Sequence, residues 1–299
     1  MRSQISLSVE AGKRLIAQAV LHLPQVREAL KNHQILIKGG TTASLVSEAL
    51  CGEPLKISGR IVRSGMGCCP DQCGAPHNIL LRKGQAIARD AELWTRQDVE
   101  FAPGDVCVIG ANLVDRDGRA AMLAGSPLGN ALHCFTALAS EGVEMIIVAG
   151  LEKWAPCSLE DAITAASRKG VDLSMGMAAG LIPIPGKVLD ELEACRVLGA
   201  SDVHLIARGG ILGAEGGCTL VMDFSDERRG QDFFSEVQKL SRDENQKPAG
   251  AAPSLKDCLT SRNGAAPRRC TVPAGTGLTE TNRSSRSGGR RPCSLSMIC

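Results

Sequence analysis

The chain has 299 residues, 43% of them hydrophobic and 22% charged, which is enough apolar material for the core of one large α/β domain or two smaller ones. A formal net charge of +2, with two Trp, five Phe and no Tyr, argues against nucleic-acid partners, which call for basic patches and stacking aromatics. No apolar run approaches the roughly 18–20 residues that span a bilayer, and MRSQISLSVEAGKRL lacks a signal-peptide pattern, so a cytoplasmic chain with no membrane partner is expected.

Residues 9–23 place Leu15, Ile16, Ala19, Val20 and Leu23 on one face of an amphipathic helix. Pro24 suits the first position of a second short helix, with Val26, Ala29 and Leu30 inward. Ile35-Leu36-Ile37 reads as a short buried strand that ends in Lys38-Gly39-Gly40-Thr41-Thr42. The helix after it buries Leu45, Val46, Ala49 and Leu50 and stops at Gly52. The same syntax recurs at Val106–Ile109, which leads through a loop containing Gly118 to a helix starting at Ser126-Pro127 and closed by Gly142. Met145–Val148 is the next strand. A capping box at Ser158–Asp161 then opens a helix expected to reach Gly170. Lys187–Leu198 reads as one helix, Val203–Ile206 as a strand, and Cys218–Met222 as the last strand. Short apolar strands alternating with helices predict a mostly parallel, Rossmann-like three-layer sheet, with ligands outside the carboxyl ends of its strands.

The charge reverses near Leu240. Residues 1–240 hold 24 Lys/Arg against 28 Asp/Glu, whereas residues 241–299 hold 10 against 4. The latter stretch is rich in Ser, Gly, Pro and Arg and has no periodicity, so it cannot bury enough apolar surface to offset its ordering entropy. The expected organisation is an α/β domain over 1–240 with an N-terminal helical lead, and a disordered basic tail over 241–299.

Three turns carry the candidate chemistry. At Lys38, Gly39, Gly40, Thr41 and Thr42, two glycines admit a ligand close to the backbone. The following helix aims free N–H groups and its positive dipole end at the same spot, which suits phosphate or carboxylate. Gly110-Ala111-Asn112 and Asp115 leave the second strand where substrates bind, and Gly125-Ser126 opens the next helix. Gly209–Gly217 brackets one carboxylate, Glu215, which acts as a base if the loop encloses it. Thirteen cysteines in a chain without a secretion signal are expected to stay reduced. Cys68, Cys69, Cys73 and His77 match no standard zinc spacing, so neither metal nor cofactor is expected.

ILIKGGTTASLVSEAL resembles the first strand-turn-helix of the NagB/RpiA/CoA-transferase-like superfamily, which holds ribose-5-phosphate isomerase, glucosamine-6-phosphate deaminase, CoA transferases and DeoR-type effector domains. DVCVIGANLVDRDGRAAMLAGSPLGN is similar to a second hallmark, found in the branch of methylthioribose-1-phosphate isomerase and the regulatory subunits of initiation factor 2B. Gly110-Ala111-Asn112 takes the place of its G-A-D, Asp117-Gly118 of its N-G and Gly125-Ser126 of its G-T. Lys153 stands where isomerases and DeoR-type domains often carry a Lys. Asn112 replaces the catalytic Asp of the isomerases, and Leu123 replaces the Lys before the G-T turn. The resemblance implies that superfamily's fold and a homo-oligomer with a pocket for an anionic metabolite, phosphorylated and sugar-like or CoA-linked. The expected chemistry is isomerase-like proton transfer. Glu215 would be the base, Asn112 would orient the substrate, Asp115 would lie beside it, and the Gly39–Thr42 turn with Lys153 would hold the anion. The alternatives are a non-catalytic DeoR-like sensor domain and a CoA-transferase-like acyl-group enzyme with Glu215 as nucleophile.

Overall fold

At the centre of the molecule lie strands whose residues are buried on both faces. The structure is a computed structural model describing residues 1–57, 59–68, 74–90, 92–95, 98–125 and 137–243. The chain divides into two units, Met1–Ser254 and Leu255–Cys299, and every described residue lies in the first. The tail expected over 241–299 thus falls almost wholly outside the described residues.

In chain order the strands are β1 (Arg2–Leu7), β2 (Gln34–Lys38), β3 (Gly59–Val62), β4 (Gly65–Cys68), β5 (Asn78–Arg82), β6 (Gln85–Arg89) and β7 (Val106–Ile109). There follow β8 (Leu113–Val114), β9 (Ala120–Ala124), β10 (Glu144–Val148), β11 (Gly180–Ile184), β12 (Lys187–Leu189), β13 (Asp202–Gly209) and β14 (Gly217–Asp223). The helices are α1 (Val9–His22), α2 (Pro24–Asn32), α3 (Thr41–Cys51), α4 (Glu92–Thr95), α5 (Leu159–Ala165), α6 (Glu191–Val197) and α7 (Glu227–Asp243).

The main sheet has six strands in the order β12-β10-β7-β2-β5-β6. Strands β12, β10, β7 and β2 run parallel, whereas β5 pairs antiparallel with both β2 and β6, so the sheet is mixed. Alternate residues serve opposite faces. Ile35, Ile37, Val106, Val108, Ile146 and Val148 join one core, while Leu36, Cys107, Ile109, Met145 and Ile147 join the other. That is why these runs read as continuously apolar. The first face is covered by α1, α2, α3 and α6. Beyond them lies a three-stranded antiparallel sheet, β1-β14-β13, whose Ile5, Leu7, Leu220 and Met222 join the same core. The second face carries a small antiparallel sheet, β11-β9-β8, in a region that the sequence reads as a loop around Gly118 and, at β11, leaves unassigned. Residues 126–136, which hold most of the helix expected from Ser126, lie outside the described residues, and residues 137–140 are helical.

Three boundaries differ from the sequence reading. Lys187–Leu198 is not one helix: Lys187–Leu189 pairs with β10, and Asp190 then caps α6 by accepting the Glu193 N–H at 3.0 Å. The helix opened by Ser158 ends at Ala165, because the Arg168-Lys169-Gly170 stretch beyond it has no apolar stripe to bury. The segment before residue 9 is a strand, β1, paired along its whole length with β14. Among the described residues no helix is long and apolar enough to cross a membrane.

Candidate functional site

Because β2, β7, β10 and β12 are parallel, their C-terminal ends bring Lys38, Gly110, Ala149 and Asp190 to one edge of the sheet. The first and second candidate turns therefore share that edge, with Thr41 and Asn112 following neighbouring strands. The third turn reaches the same edge from the other sheet: a Cβ on Gly216 would lie 3.8 Å from that of Glu152, just beyond β10.

At the β2 end, Lys38 is buried and its Nζ donates to Asn78 Oδ1 at 3.0 Å. Gly39 is required by space: a methyl there would run into the His77 ring and the Lys56 carbonyl. The Gly39 N–H donates to the His77 carbonyl at 2.6 Å. Gly40 is the N-cap of α3, and it caps without a side chain. A side chain at Gly40 would meet nothing within 4 Å, so the approach to the helix N-terminus is open. Thr41 is exposed and Thr42 buried in the first turn. The His77 imidazole is held below its ordinary pKa chiefly by burial, with the Lys38 and Lys56 charges adding to it and Asp90 and the Lys56 carbonyl opposing.

At the β7 end the candidate catalytic groups are occupied. Asn112 lies across the β8–β9 hairpin, where its backbone N–H donates to the Ala121 carbonyl and its Oδ1 accepts the Leu123 N–H, both at 2.9 Å. Asp115 is fully buried and accepts from the backbone N–H groups of Asp117, Arg119 and Leu159 and from two nitrogens of the Arg119 guanidinium. Burial pushes its pKa up, but these donors outweigh burial and hold it below the ordinary carboxylate value. Asp115 is thus the clamp of the Asp115–Arg119 turn, which Arg119 extends to Glu160 of α5. Gly125 packs against Met177, and its carbonyl faces Arg168. Ser126 lies outside the described residues.

Glu215, the expected base, is exposed, and its Oε2 accepts the N–H of Gly213 within its own loop at 3.0 Å. Away from the saturated Asp115, a buried and a half-buried carboxylate, Glu191 and Glu152, lie at the β10 end. Residues Leu151–Lys153 form a 3-10 turn directly after β10. Glu191, the first residue of α6, is buried, and its Oε2 accepts the Leu151 N–H at 2.7 Å. A methyl on Gly150 would collide with Glu152 Oε2 and lie 2.6 Å from Glu191 Oε1. The two oxygens therefore lie within about 5 Å of each other, where like charges repel. Glu152 Oε2 is buried with no hydrogen-bond partner. Glu152 Oε1 is 3.9 Å from Lys153 Nζ, which puts the predicted Lys153 beside this pair. Burial, then the neighbouring Glu152 and Asp190, push Glu191 up to about 7 against the pull of the Leu151 N–H. Arg208 of β13 donates to the Trp154 carbonyl at 3.3 Å and supplies a cation nearby.

The sequence reading missed Glu152 and Glu191. Glu152 directly precedes the predicted Lys153, and Glu191 falls inside the Lys187–Leu198 stretch that reads as one helix. The usable signal was Gly150 directly after the Met145–Val148 strand, since a glycine at a strand's carboxyl end permits close approach.

Among the described residues no group of three or more His, Cys, Asp or Glu side chains could hold a metal ion. Cys69 and Cys73 lie outside the described residues. Cys51, Cys107, Cys157, Cys195 and Cys218 are thiols outside any disulfide, and burial pushes Cys218 up to about 12. Compared with protein-family models, curated proteins and solved structures, the chain matches none.

Proposed function

We propose that this chain binds a small anionic metabolite at the C-terminal edge of β2, β7, β10 and β12 and acts on it by isomerase-like proton transfer. The observation that carries the reading is at the β2 end: the open N-terminus of the eleven-residue α3 at Gly40, directly after the buried Lys38. First-turn N–H groups lack intrahelical acceptors, and the helix dipole favours negative charge there. A phosphate or carboxylate seated at Gly40 extends along the edge towards the β10 end. There the acid–base group is the half-buried Glu152, in the role the sequence suggested for Glu215. The resemblance to the NagB/RpiA/CoA-transferase-like superfamily supports the same edge, and with it a homo-oligomer of that fold type.

A DeoR-like sensor is the second reading. Its support is that the amide of Asn112 and the carboxylate of Asp115 are both consumed by the β8–β9 hairpin and its turn, which leaves no free acid beyond β7. The two readings share the anion site and differ in turnover.

Gly40→Asp tests the shared part. The backbone at Gly40 is extended and the position has room, so the fold should tolerate the change. Asp is also a better N-cap than Gly by a few tenths of a kcal/mol. Calorimetry with inorganic phosphate, pentose and hexose phosphates and an acyl-CoA should give at least one ligand for the parent. Its affinity should fall by about tenfold or more in Gly40→Asp. Equal affinity in both proteins would remove the anion site from α3, and an exchange assay on the bound ligand in deuterated water separates enzyme from sensor.

A further inference from the structure

We propose that Glu152 and Glu191 hold a single proton between them across Gly150 at neutral pH, which makes the turn after β10 a proton store rather than a doubly negative site. The sharing is a property of the folded chain and holds with or without an anion at α3.

The geometry requires some such arrangement. Two side-chain oxygens, Glu191 Oε1 and Glu152 Oε2, converge on the same glycine, and no Cβ stands between them. Glu152 Oε2 is buried and accepts nothing. Glu191 accepts the Leu151 N–H on its other oxygen and is also reached by its own backbone N–H. Among the described residues no Lys, Arg or His forms an ion pair with Glu191, and the single cation paired with Glu152, Lys153, lies on the side of Oε1. With Glu191 buried and Glu152 Oε2 buried and unpaired, two facing anions repel, because each takes away part of the other's solvation and supplies no donor. A proton on either facing oxygen turns the repulsion into attraction and gives Glu152 Oε2 the donor it lacks.

The groups packed around the pair do not substitute for that proton. From α6 come Asp190, which adds negative charge, and the buried Cys195. Strand β14 contributes Cys218, a neutral thiol. Arg208 of β13 directs its Nη1 to the Trp154 carbonyl. Helix α1 presents Gly12 to Glu191, while its own Glu10, Lys13 and Arg14 pair among themselves. A proton held there and released near neutral pH is what a general acid–base pair requires.

Carbon-detected NMR of the glutamate carboxyl carbons in the full chain tests the sharing, with the Glu191 signal identified by its loss in Glu191→Gln. In the parent, Glu191 should titrate near 7, and the Glu152 carboxyl carbon, which faces it, should respond as Glu191 ionises. In Glu152→Gln the Glu191 midpoint should fall by about 1 pH unit or more, because the like charge is gone and the amide can donate. A Glu191 midpoint near 4.5 in the parent would overturn the proposal, as would the same midpoint in parent and Glu152→Gln. Should Glu152→Gln fail to fold, the parent still decides: shared steps at both carbons support the pair, and two independent steps refute it.

Discussion

Asp115, beyond β7, and Glu191, beside β10, are both buried carboxylates near the same sheet edge, and they differ in how many donors reach them. Asp115 receives three backbone N–H groups and a guanidinium, so the fold supplies what water would have supplied and the carboxylate stays ionised. Glu191 receives only the Leu151 N–H and its own and faces a second carboxylate, so the fold favours its protonated form. Burial alone therefore does not mark a group that can move a proton; burial without donors does. The same contrast separates a clamp from a candidate site. Asp115 is saturated and has nothing left to offer a substrate, whereas the Glu152–Glu191 pair is unsaturated and does.

The most severe break in that contrast is Asp115→Ala. It strands three backbone N–H groups in the buried turn and leaves Arg119 with Glu160 and Asp117 as carboxylate partners. Melting temperature should drop by about 10–15 °C, the largest effect of any change considered, since breaking a buried charged network from one side is costly. A drop of only a degree or two would mean that water replaces the carboxylate, and Asp115 would return to the list of candidate site residues.

Glu191→Gln sharpens the other half. A carboxyl whose folded pKa is raised binds its proton more tightly when folded than when unfolded. The stability this contributes is fully present below the unfolded value of about 4.5 and is lost as pH rises towards the folded value of about 7. The parent should therefore lose on the order of 3 kcal/mol across that window, and Glu191→Gln, which has nothing to ionise, should not lose it. Denaturant titrations of the two proteins should diverge from pH 4.5 to 7.5 in favour of the variant and run parallel above that. Parallel curves throughout would mean that Glu191 titrates as an exposed glutamate does.

Much of the central sheet was legible because continuous apolar runs such as Ile35–Ile37 and Val106–Ile109 have few uses other than a strand buried on both faces. The first turn was legible for a related reason: Gly39 and Gly40 directly after such a strand leave little besides a strand-to-helix turn. The antiparallel partners were harder. Asn78–Arg82 is short, follows the Cys-rich stretch, and becomes a strand through pairing with β2, a contact between distant residues that no local pattern announces. Lys187–Leu198 has enough apolar spacing to pass for one helix, and the Asp190 cap that divides it is visible only once β12 is seen to pair with β10. The site was misread for the same reason. Asn112 and Asp115 are polar residues in a promising place, but their partners Leu123 and Leu159 come from later elements, as does Glu191 for Gly150.

Glu215 supplies the smallest effect and completes the comparison, as a carboxylate with one donor but without burial. Its Oε2 accepts the Gly213 N–H, its side chain is open to water, and the loop's path is set by glycines rather than by that bond. Gly210 and Gly213 both adopt positive φ, and a side chain on Gly210 would collide with the Ala214 carbonyl. A solvated carboxylate exchanged for an amide in such a loop loses little, because water takes over the contact. Glu215→Gln should therefore move the melting temperature by no more than about 2 °C. It should also leave the affinity for any anion that binds at α3 unchanged, while Glu152→Gln abolishes deuterium exchange into that ligand if the edge is catalytic. Loss of exchange in Glu215→Gln with exchange retained in Glu152→Gln would reverse the assignment. The loop would then have to close over the edge on binding, carrying Glu215 inward past Gly216 to where Glu152 now stands.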